Sequence, residues 1–352
     1  MKIAFLSFFN GVYERGVETL VLQLGKRLSK SCDLTVYQSG GKVTDYFKTK
    51  VFQIKWDSPL QEPNNIRKRL FLDPTSFAIK KFTQKIISDL KKEKFDVIVP
   101  WNNGWETILC RLNNISKIVT VGQAGIGWDD RVNLWSFPSA FVGFTDFQNN
   151  WARGVNRFVR VEKIPNGVDL DIFKPDGRKY KIDLPRPIIL SVAALVPMKR
   201  HELAVKAIAK LGEGSLVIVG KGEQEGQLVK MGESLLPGRF KLLGLPFEEI
   251  PEIYRSSDLL TFPTSSWESF GLVLLEAMAS GLPVVATDDP IRREIVGDAG
   301  LFVDPTDTEK YARTLEEALK VKWGGKPRKQ AEKFNWDEIA KKYERLFLEL
   351  TK

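Results

Sequence analysis

Residues 267–287 read WESFGLVLLEAMASGLPVVAT, with two glutamates, Glu268 and Glu276, eight positions apart. The first falls in a loop and the second on a helix. Between them Ser269, Phe270, Gly271 and Leu272 are expected to form the opening turn of that helix, whose backbone N–H groups have no intrahelical partner and point at whatever lies in front. A phosphate suits that place, and a carboxylate a turn or more further in can accept hydrogen bonds from sugar hydroxyls. The segment therefore reads as a receptor for a phosphorylated polyol such as a nucleotide sugar. The SGLPVVAT run that follows reads as a Gly-Pro turn feeding a buried strand. An acidic loop residue and a mid-helix glutamate also occur together in solvated amphipathic helices. Here, though, Leu272, Val273, Leu274, Leu275, Ala277 and Met278 make the helix apolar on nearly every side. A helix buried all round does not carry an unpaired glutamate without cost, so a function is expected of Glu276.

The pattern E-x7-E with Phe-Gly after the first Glu, then EAMA-x-G-x-P-V-V-A-T, resembles the signature of the retaining glycosyltransferases of family 4. Pro165, Asn166, Gly167, Val168 and Asp169, with Phe173, resemble that family's interdomain N-G-V-D-x-x-x-F segment. Ile188 to Lys199 resembles its strand and phosphate loop, Val217 to Gly222 its V-G-x-G turn, and Phe334, Asn335 and Trp336 the aromatic start of its last helix. The resemblance extends over most of the carboxyl half. It implies an α/β chain of the GT-B fold, two doubly wound Rossmann-like domains facing a cleft. The domains implied are 1–173 for the acceptor, 174–333 for the nucleotide sugar, and 334–352 as a helix packing back on the first domain.

Length and rhythm agree with two domains. The chain has 352 residues, more than one hydrophobic core usually supports, and 43% hydrophobic content is ordinary for a globular protein. Strands are expected at Lys2–Ser7, Leu34–Tyr37, Asp96–Val99, Lys117–Val121, Ala140–Thr145 and Val161–Ile164, with helices near Val17–Ser29, Thr75–Lys94 and Phe147–Gly154. The rhythm restarts with strands at Ile188–Ala193, Leu216–Val219, Phe240–Leu242, Leu259–Phe262, Pro283–Ala286 and Leu301–Val303. Helices near Arg200–Leu211, Glu223–Glu233, Glu248–Arg255 and Leu272–Ser280 separate them. Such alternation implies parallel sheets with helices on both faces. Lys174 to Pro187, rich in Pro and charge, reads as the linker. No apolar run reaches about 18 residues, so nothing reads as a membrane span. The apolar start MKIAFLSFFNG is short and meets Gly11, and reads as a first buried strand rather than a signal peptide. Cys32 and Cys110 are the only cysteines, with no disulfide framework or metal-ligand spacing, and a cytoplasmic protein is expected.

Charge is uneven. Residues 1–168 hold 25 Lys or Arg against 15 Asp or Glu, whereas residues 169–352 hold 28 against 29, so all of the +9 excess lies in the first half. Arg67, Lys68 and Arg69 stand beside Leu70, Phe71 and Leu72, and one helix carries Lys80, Lys81, Lys85, Lys91, Lys92 and Lys94. Such patches attract anionic membrane surfaces, phosphates or nucleic acid, and a solvated helix face explains the lysines equally well. An acceptor carried on a lipid phosphate would turn this half toward an anionic membrane as a peripheral contact; nucleic acid is not an expected partner.

The resemblance assigns roles residue by residue. Lys199 follows a strand and the loop Ala193-Ala194-Leu195-Val196-Pro197-Met198, and is the implied diphosphate-binding lysine at a helix start. The family has G-R-L where this chain has Ala193-Ala194-Leu195, so a second phosphate-binding arginine is missing; either Arg200 substitutes for it or the diphosphate is held more weakly. Gly220 and Gly222 are implied to line the nucleotide pocket, with Leu243, Gly244 and Leu245 giving backbone contacts to the base. Gly16, after Glu14 and Arg15, stands for the glycine loop of the first domain, with one glycine in place of the usual two. Many relatives have a histidine after the central strand of the first domain; here Val119 to Asp130 contains none, and the only histidine in the chain, His201, reads as structural. Gln123 could bind the donor sugar, and Asp129 or Asp130 could orient or deprotonate the acceptor hydroxyl, each also being readable as a plain loop residue.

Together these readings imply transfer of a hexose-type sugar, with retention and without metal or other cofactor, from a UDP- or GDP-linked donor. The acceptor would be a glycan, lipid-linked or small-molecule hydroxyl, as in cell-envelope or glycan biosynthesis. Glu268, Lys199 and Asp129 are the expected catalytic residues, Glu276 binds the ribose, and Phe270, Gly271 and Leu272 supply amides to the diphosphate. A nucleotide-sugar epimerase of the same fold and a nucleotide-sugar-binding subunit of little activity are the alternatives. The base and sugar of the donor depend on Leu245 and Ser265 to Trp267, and acceptor choice on Ser39 to Pro74.

Overall fold

The two restarts of strand-helix alternation are realised as two units, each built on one parallel sheet. The computed structural model describes residues 1–13, 15–56, 66–102, 104–123, 125–266 and 268–352. Glu14, Ala124, Trp267 and residues 57–65 of the acceptor-choice stretch, all named above, lie outside the described residues. Unit 1 comprises Met1–Asn166 and Trp336–Lys352, and unit 2 comprises Gly167–Asn335.

In unit 1 the strands are β1 (Lys2–Leu6), β2 (Asp33–Gln38), β3 (Lys48–Val51), β4 (Val97–Pro100), β5 (Lys117–Val121), β6 (Ala140–Gly143) and β7 (Arg160–Lys163). They lie in the order β3-β2-β1-β4-β5-β6-β7. Helices α1 (Gly16–Leu28), α2 (Ile66–Arg69), α3 (Pro74–Glu93), α4 (Gly104–Leu112), α5 (Trp128–Trp135) and α6 (Asp146–Val155) belong with them. Unit 2 has β8 (Ile188–Val192), β9 (Ser215–Val219), β10 (Phe240–Leu243), β11 (Leu259–Phe262), β12 (Val284–Thr287) and β13 (Gly300–Val303). Their order is β10-β9-β8-β11-β12-β13. Its helices are α7 (His201–Leu211), α8 (Glu225–Leu235), α9 (Ile250–Ser256), α10 (Leu272–Ala279), α11 (Pro290–Val296), α12 (Thr308–Lys320) and α13 (Lys326–Glu332). The last helix, α14 (Trp336–Thr351), is part of unit 1.

Parallel strands buried on both faces need continuous apolar runs. Those of β4, β8, β9, β11 and β12 are buried throughout. The helices close over them by ordinary patterning. In α3, Asp73 caps the N-terminus by accepting from the Ser76 amide at 2.9 Å, Pro74 opens the first turn, and Lys94 ends the helix at φ +52°. Its buried face is Ala78, Ile79, Phe82, Ile86 and Leu90. Lys81, Lys85, Lys91 and Lys92 lie on the exposed side, a solvated face. In unit 2 Ile189, Leu216, Ile218 and Ile208 meet Tyr311 and Leu315 of α12 in one core, each fully buried aliphatic contributing roughly 1.5–3 kcal/mol.

The chain passes between units at Asn166/Gly167, earlier than the expected break at 173/174, because the segment after it is already bonded into unit 2. Val168 pairs with Asn335 in a parallel bridge and its N–H donates to the Phe334 carbonyl at 2.8 Å. Phe173 packs edge-on against Phe247 and Tyr254. Likewise the stretch read as a linker is fastened to unit 2: Arg255 donates to the Arg178 carbonyl at 2.7 Å, and Arg186 pairs with Asp258 at 2.6 Å. Within unit 1, α14 lies on α1, with Arg27 paired to Asp337 at 2.6 Å.

Candidate functional site

The order of unit 2 reverses between β8 and β11, so the loops that leave these neighbouring strands diverge and leave room at the carboxyl end of the sheet. The loop after β8 carries Lys199 and the loop after β11 carries Glu268. Their side chains form an ion pair, each mostly buried at 16% and 17% exposure, and the Lys199 ammonium stands 5.5 Å from the centre of the Phe262 ring. Lys199 does not open α7 as expected. It ends a 3-10 turn, Pro197–Lys199, and the helix begins at His201 after Arg200 has turned into a left-handed conformation at φ +52°.

The beginning of α10 is also later than expected. Gly271 precedes the helix at φ +94°, a conformation open to glycine, and α10 starts at Leu272, so Ser269, Phe270 and Gly271 belong to the loop. No side chain caps this end, which leaves its first amides for an anion. Phe270 is 2% exposed and packs edge-on against Phe334, so its ring is core. Glu276 sits half a helix further on. One carboxylate oxygen accepts from the Tyr254 hydroxyl at 2.9 Å, and burial pushes its carboxyl up to about 7. Burial and the neighbouring Glu276 together raise the Tyr254 phenol well above its usual range.

Gly220 and Gly222 have a steric explanation in the structure. A Cβ on Gly220 would stand 1.9 Å from the Ala193 carbonyl oxygen, and one on Gly222, at φ +159°, 2.5 Å from that of Leu195. The two glycines therefore let the loops after β8 and β9 lie against each other, sealed by the Leu195 amide donating to the Lys221 carbonyl at 2.9 Å. Leu245 is half-buried just past β10, whose Leu243 carbonyl accepts from the Gly220 amide at 2.9 Å. Ser265 holds a buried hydroxyl with no hydrogen-bond partner among the described residues.

Arg200, one of the two alternatives for the missing arginine, has its guanidinium turned to the carbonyls of Pro263 and Thr264. His201 is structural. It is 1% exposed, with Nδ1 3.0 Å from the Ser191 hydroxyl and Nε2 3.3 Å from the Ala194 carbonyl, and burial pulls its imidazole down to about 4. It is therefore neutral near pH 7, and it fixes the loop that carries Lys199.

Gly16, Gln123 and Asp129 are in unit 1, apart from the Lys199 and Glu268 loops of unit 2. Gly16 is the first residue of α1, beyond Arg15, which pairs with the buried Glu18 at 2.7 Å and stacks on Phe9. The Gln123 amide nitrogen is buried without a partner among the described residues. Asp129 is half-buried in the first turn of α5, and burial pushes its carboxyl up to about 6, with Lys68 opposing and Asp73 adding to the shift. Asp130 is buried, with Gln148 as a partner, which leaves Asp129 the more exposed of the two.

Three residues of this neighbourhood escaped the sequence reading: Tyr254, Thr287 and Arg292. Tyr254 is on α9, 22 positions from Glu276, with no local signal to join them. Arg292 lies in the RRE run of α11, where one arginine is 0% exposed and the next, Arg293, is solvent-facing and paired to Asp288. The i, i+3 spacing of Asp289 and Arg292 was the available clue.

Residues 173–341 match the family described as glycosyl transferases group 1. This match spans just under half of the chain. Among curated proteins it is 31% identical over 194 residues to a D-inositol 3-phosphate glycosyltransferase of Mycolicibacterium smegmatis, covering 50% of this chain and 44% of that one. This chain spans between 21% and 56% of the length of the first four curated relatives it matches. Two solved structures share its fold over nearly the whole length. Sucrose-phosphate synthase from Thermosynechococcus elongatus has a TM-score of 0.82 at 21% identity, covering 99% of this chain and 98% of that one. Anabaena HepE, solved in complex with UDP-glucose, has a TM-score of 0.75 at 18% identity, covering 99% and 100%. The architecture of the chain is accordingly the GT-B fold, two parallel-sheet α/β units.

Proposed function

We propose that the chain is a retaining glycosyltransferase that uses a nucleoside-diphosphate sugar, UDP- or GDP-linked, as donor and needs no metal. One observation carries this reading: an ammonium, a carboxylate and an uncapped helix start converge where unit 2 reverses its strand order. The curated inositol glycosyltransferase and the UDP-glucose complex of the structural neighbour support the same donor class.

The chemistry follows from where charge develops. As the bond between the anomeric carbon and the diphosphate oxygen breaks, its electron pair stays on the diphosphate. Lys199 and the first amides of α10 stabilise that growing charge. Glu268 holds sugar hydroxyls while the ring carries oxocarbenium character, and Glu276 accepts from the ribose. The acceptor oxygen bonds to the anomeric carbon on the face that the diphosphate leaves, which retains configuration, and its proton is given up to a base. Asp129 is the candidate for orienting the acceptor and taking that proton; its raised carboxyl suits a base working near neutral pH.

In the ligand-free chain Glu268 already neutralises Lys199, so an arriving diphosphate has to take the ammonium over from it. A thermal-shift screen with UDP, GDP, ADP, UDP-glucose and GDP-mannose identifies the donor, since a ligand bound only by the folded state raises the melting temperature. Acceptor-dependent release of nucleoside diphosphate, unchanged by EDTA, is expected. Sugar interconversion without an acceptor would make it an epimerase, and stabilisation without turnover a binding subunit.

Unit 1 supports a lipid-phosphate-linked acceptor and peripheral contact with an anionic membrane. Ile66, Leu70 and Leu72 are exposed among Arg67, Lys68 and Arg69. Next to them Trp128, which donates to the Arg69 carbonyl, and Trp135 are exposed and meet edge to face at 5.5 Å. Cationic heads beside indole rings match the boundary between lipid headgroups and acyl chains. Among the described residues no helix is long and apolar enough to cross a membrane.

A further inference from the structure

We infer that Arg200 and Arg292 are positioning residues that grip the Glu268 loop from its two sides through backbone carbonyls. The inference rests on Glu268 having the role just proposed. Strand β11 lies between β8 and β12, and each flanking strand sends one arginine across to the loop that follows β11. From the β8 side, the Arg200 Nε donates to the Pro263 carbonyl at 2.7 Å and its Nη2 to the Thr264 carbonyl. From the β12 side, the Arg292 Nη1 donates to the carbonyl of Glu268 itself at 2.7 Å.

Both arginines are held in place for this purpose. Arg292 is 0% exposed; its Nε donates to Asp289 at 2.7 Å and its Nη2 pairs with the same oxygen at 2.6 Å. Asp289 also accepts from the Arg292 amide at 2.9 Å, so one carboxylate caps α11 and neutralises the arginine. The planar guanidinium serves Asp289 through Nε and the Glu268 carbonyl through Nη1, two directions that a lysine ammonium on its stem does not span together. Arg200 takes a left-handed backbone at φ +52°, unusual for a residue with a side chain, and there its guanidinium meets carbonyls that otherwise face the interior. Thr287, at the end of β12, donates to the Thr264 carbonyl at 2.6 Å and stands 3.3 Å from Arg200 Nη2, closing the grip. The Ser265 amide adds a bond to the Met198 carbonyl at 2.8 Å, so the loop is also sewn to the turn that carries Lys199.

The loop is thus held by its main chain, which leaves the Glu268 carboxylate free to exchange Lys199 for sugar hydroxyls without the loop moving. A misplacement of about 1 Å at such a residue costs on the order of 100-fold in rate.

The test uses the full chain and three variants. R292K keeps a cation for Asp289 and loses the Glu268 carbonyl; R200G suits the left-handed backbone and loses the Pro263 and Thr264 carbonyls; E268Q removes the charge being positioned. Hydrogen–deuterium exchange without ligand is expected to rise at least about 10-fold for residues 263–271 in R292K and R200G, with UDP affinity within about threefold of wild type. With the donor that turns over, R292K should lower kcat about 10- to 100-fold in the wild-type background and less than about threefold in E268Q, because it acts through Glu268. Unchanged exchange in both variants, or an equal loss of kcat with and without Glu268, overturns the inference. If no donor turns over in the wild type, the transferase reading fails, and the exchange of residues 263–271 still decides whether the arginines hold the loop.

Discussion

The two units share the order of their first six strands, with a seventh at the edge of unit 1, and use charge in opposite ways. Unit 1 carries the whole positive excess, yet many of its cations lie on exposed helix faces, and two of its buried carboxylates serve the backbone: Glu18 accepts from the Arg15 amide, and Glu106 from the amides of Trp101 and Asn102. Unit 2 is close to neutral and gathers Lys199, Arg200 and Arg292 around a single loop. On the proposed function, net charge would mark the unit that meets an extended anionic surface, and a buried charge cluster the unit that grips a small anion.

The comparison breaks first at Lys199. If unit 2 owes its anion affinity to this one ammonium, Lys199→Ala should lower turnover about 1,000-fold, in the range seen when a preorganised charge stabiliser is removed. Glu268→Gln should act asymmetrically. Turnover falls about 100-fold, but UDP binds several-fold more tightly because the ammonium no longer has to leave a carboxylate. Calorimetric titration of UDP into both variants checks this, and tighter binding in neither would show that the pair does not compete with diphosphate.

How far this difference was legible in the sequence depends on the range of the signal. Strand runs such as Ile188–Val192 and Leu259–Phe262 could be read because buried parallel strands are continuously apolar. β3, with the sequence KTKV, and the amphipathic α12 escaped, since an exposed edge strand has no apolar run and α12 has no motif to draw notice. Glu268, Lys199 and Glu276 were legible from the family pattern and from a carboxylate in an apolar helix. What sequence could not convey was which neighbour satisfies each charge. The Lys199–Glu268 pair spans 69 positions and the Arg292–Glu268 contact 24. The carbonyl partners of Arg200 were illegible for the same reason, since they follow from its left-handed backbone.

Glu276 sharpens the contrast within unit 2, being the one carboxylate of the site bonded to a neutral phenol instead of a cation. Glu276→Ala should weaken UDP binding about 10- to 50-fold, as befits loss of charged hydrogen bonds to a ribose, and should abolish discrimination between UDP and its 2′,3′-dideoxy analogue. The folded carboxyl is raised to about 7 from 4.5, so the fold binds this proton more tightly than the unfolded chain does. Its stabilising contribution is complete below about pH 4.5 and is lost as pH rises through 7. Glu276→Gln should therefore raise ligand-free stability by about 2 kcal/mol at pH 8 relative to wild type, and by little at pH 5. UDP affinity of the wild type should fall as pH drops below 7. Thermal melts and titrations across this range test both slopes.

Smaller still is the effect expected of unit 1 on donor chemistry, and here the comparison predicts a separation. Arg67→Glu with Arg69→Glu reverses two exposed cations at the tryptophan patch, far in kind from the carboxylates and amides that hold a diphosphate. UDP affinity should change less than about twofold, because exposed charges are screened by physiological salt. Co-sedimentation with phosphatidylserine-containing vesicles should instead weaken about 10-fold or more, at about 1 kcal/mol per cation near an anionic surface. High salt should weaken wild-type binding in the same way. Vesicle binding indifferent to both the substitutions and salt would mean that the positive excess of unit 1 only solvates its helices, and the division of labour between the units would then rest on unit 2 alone.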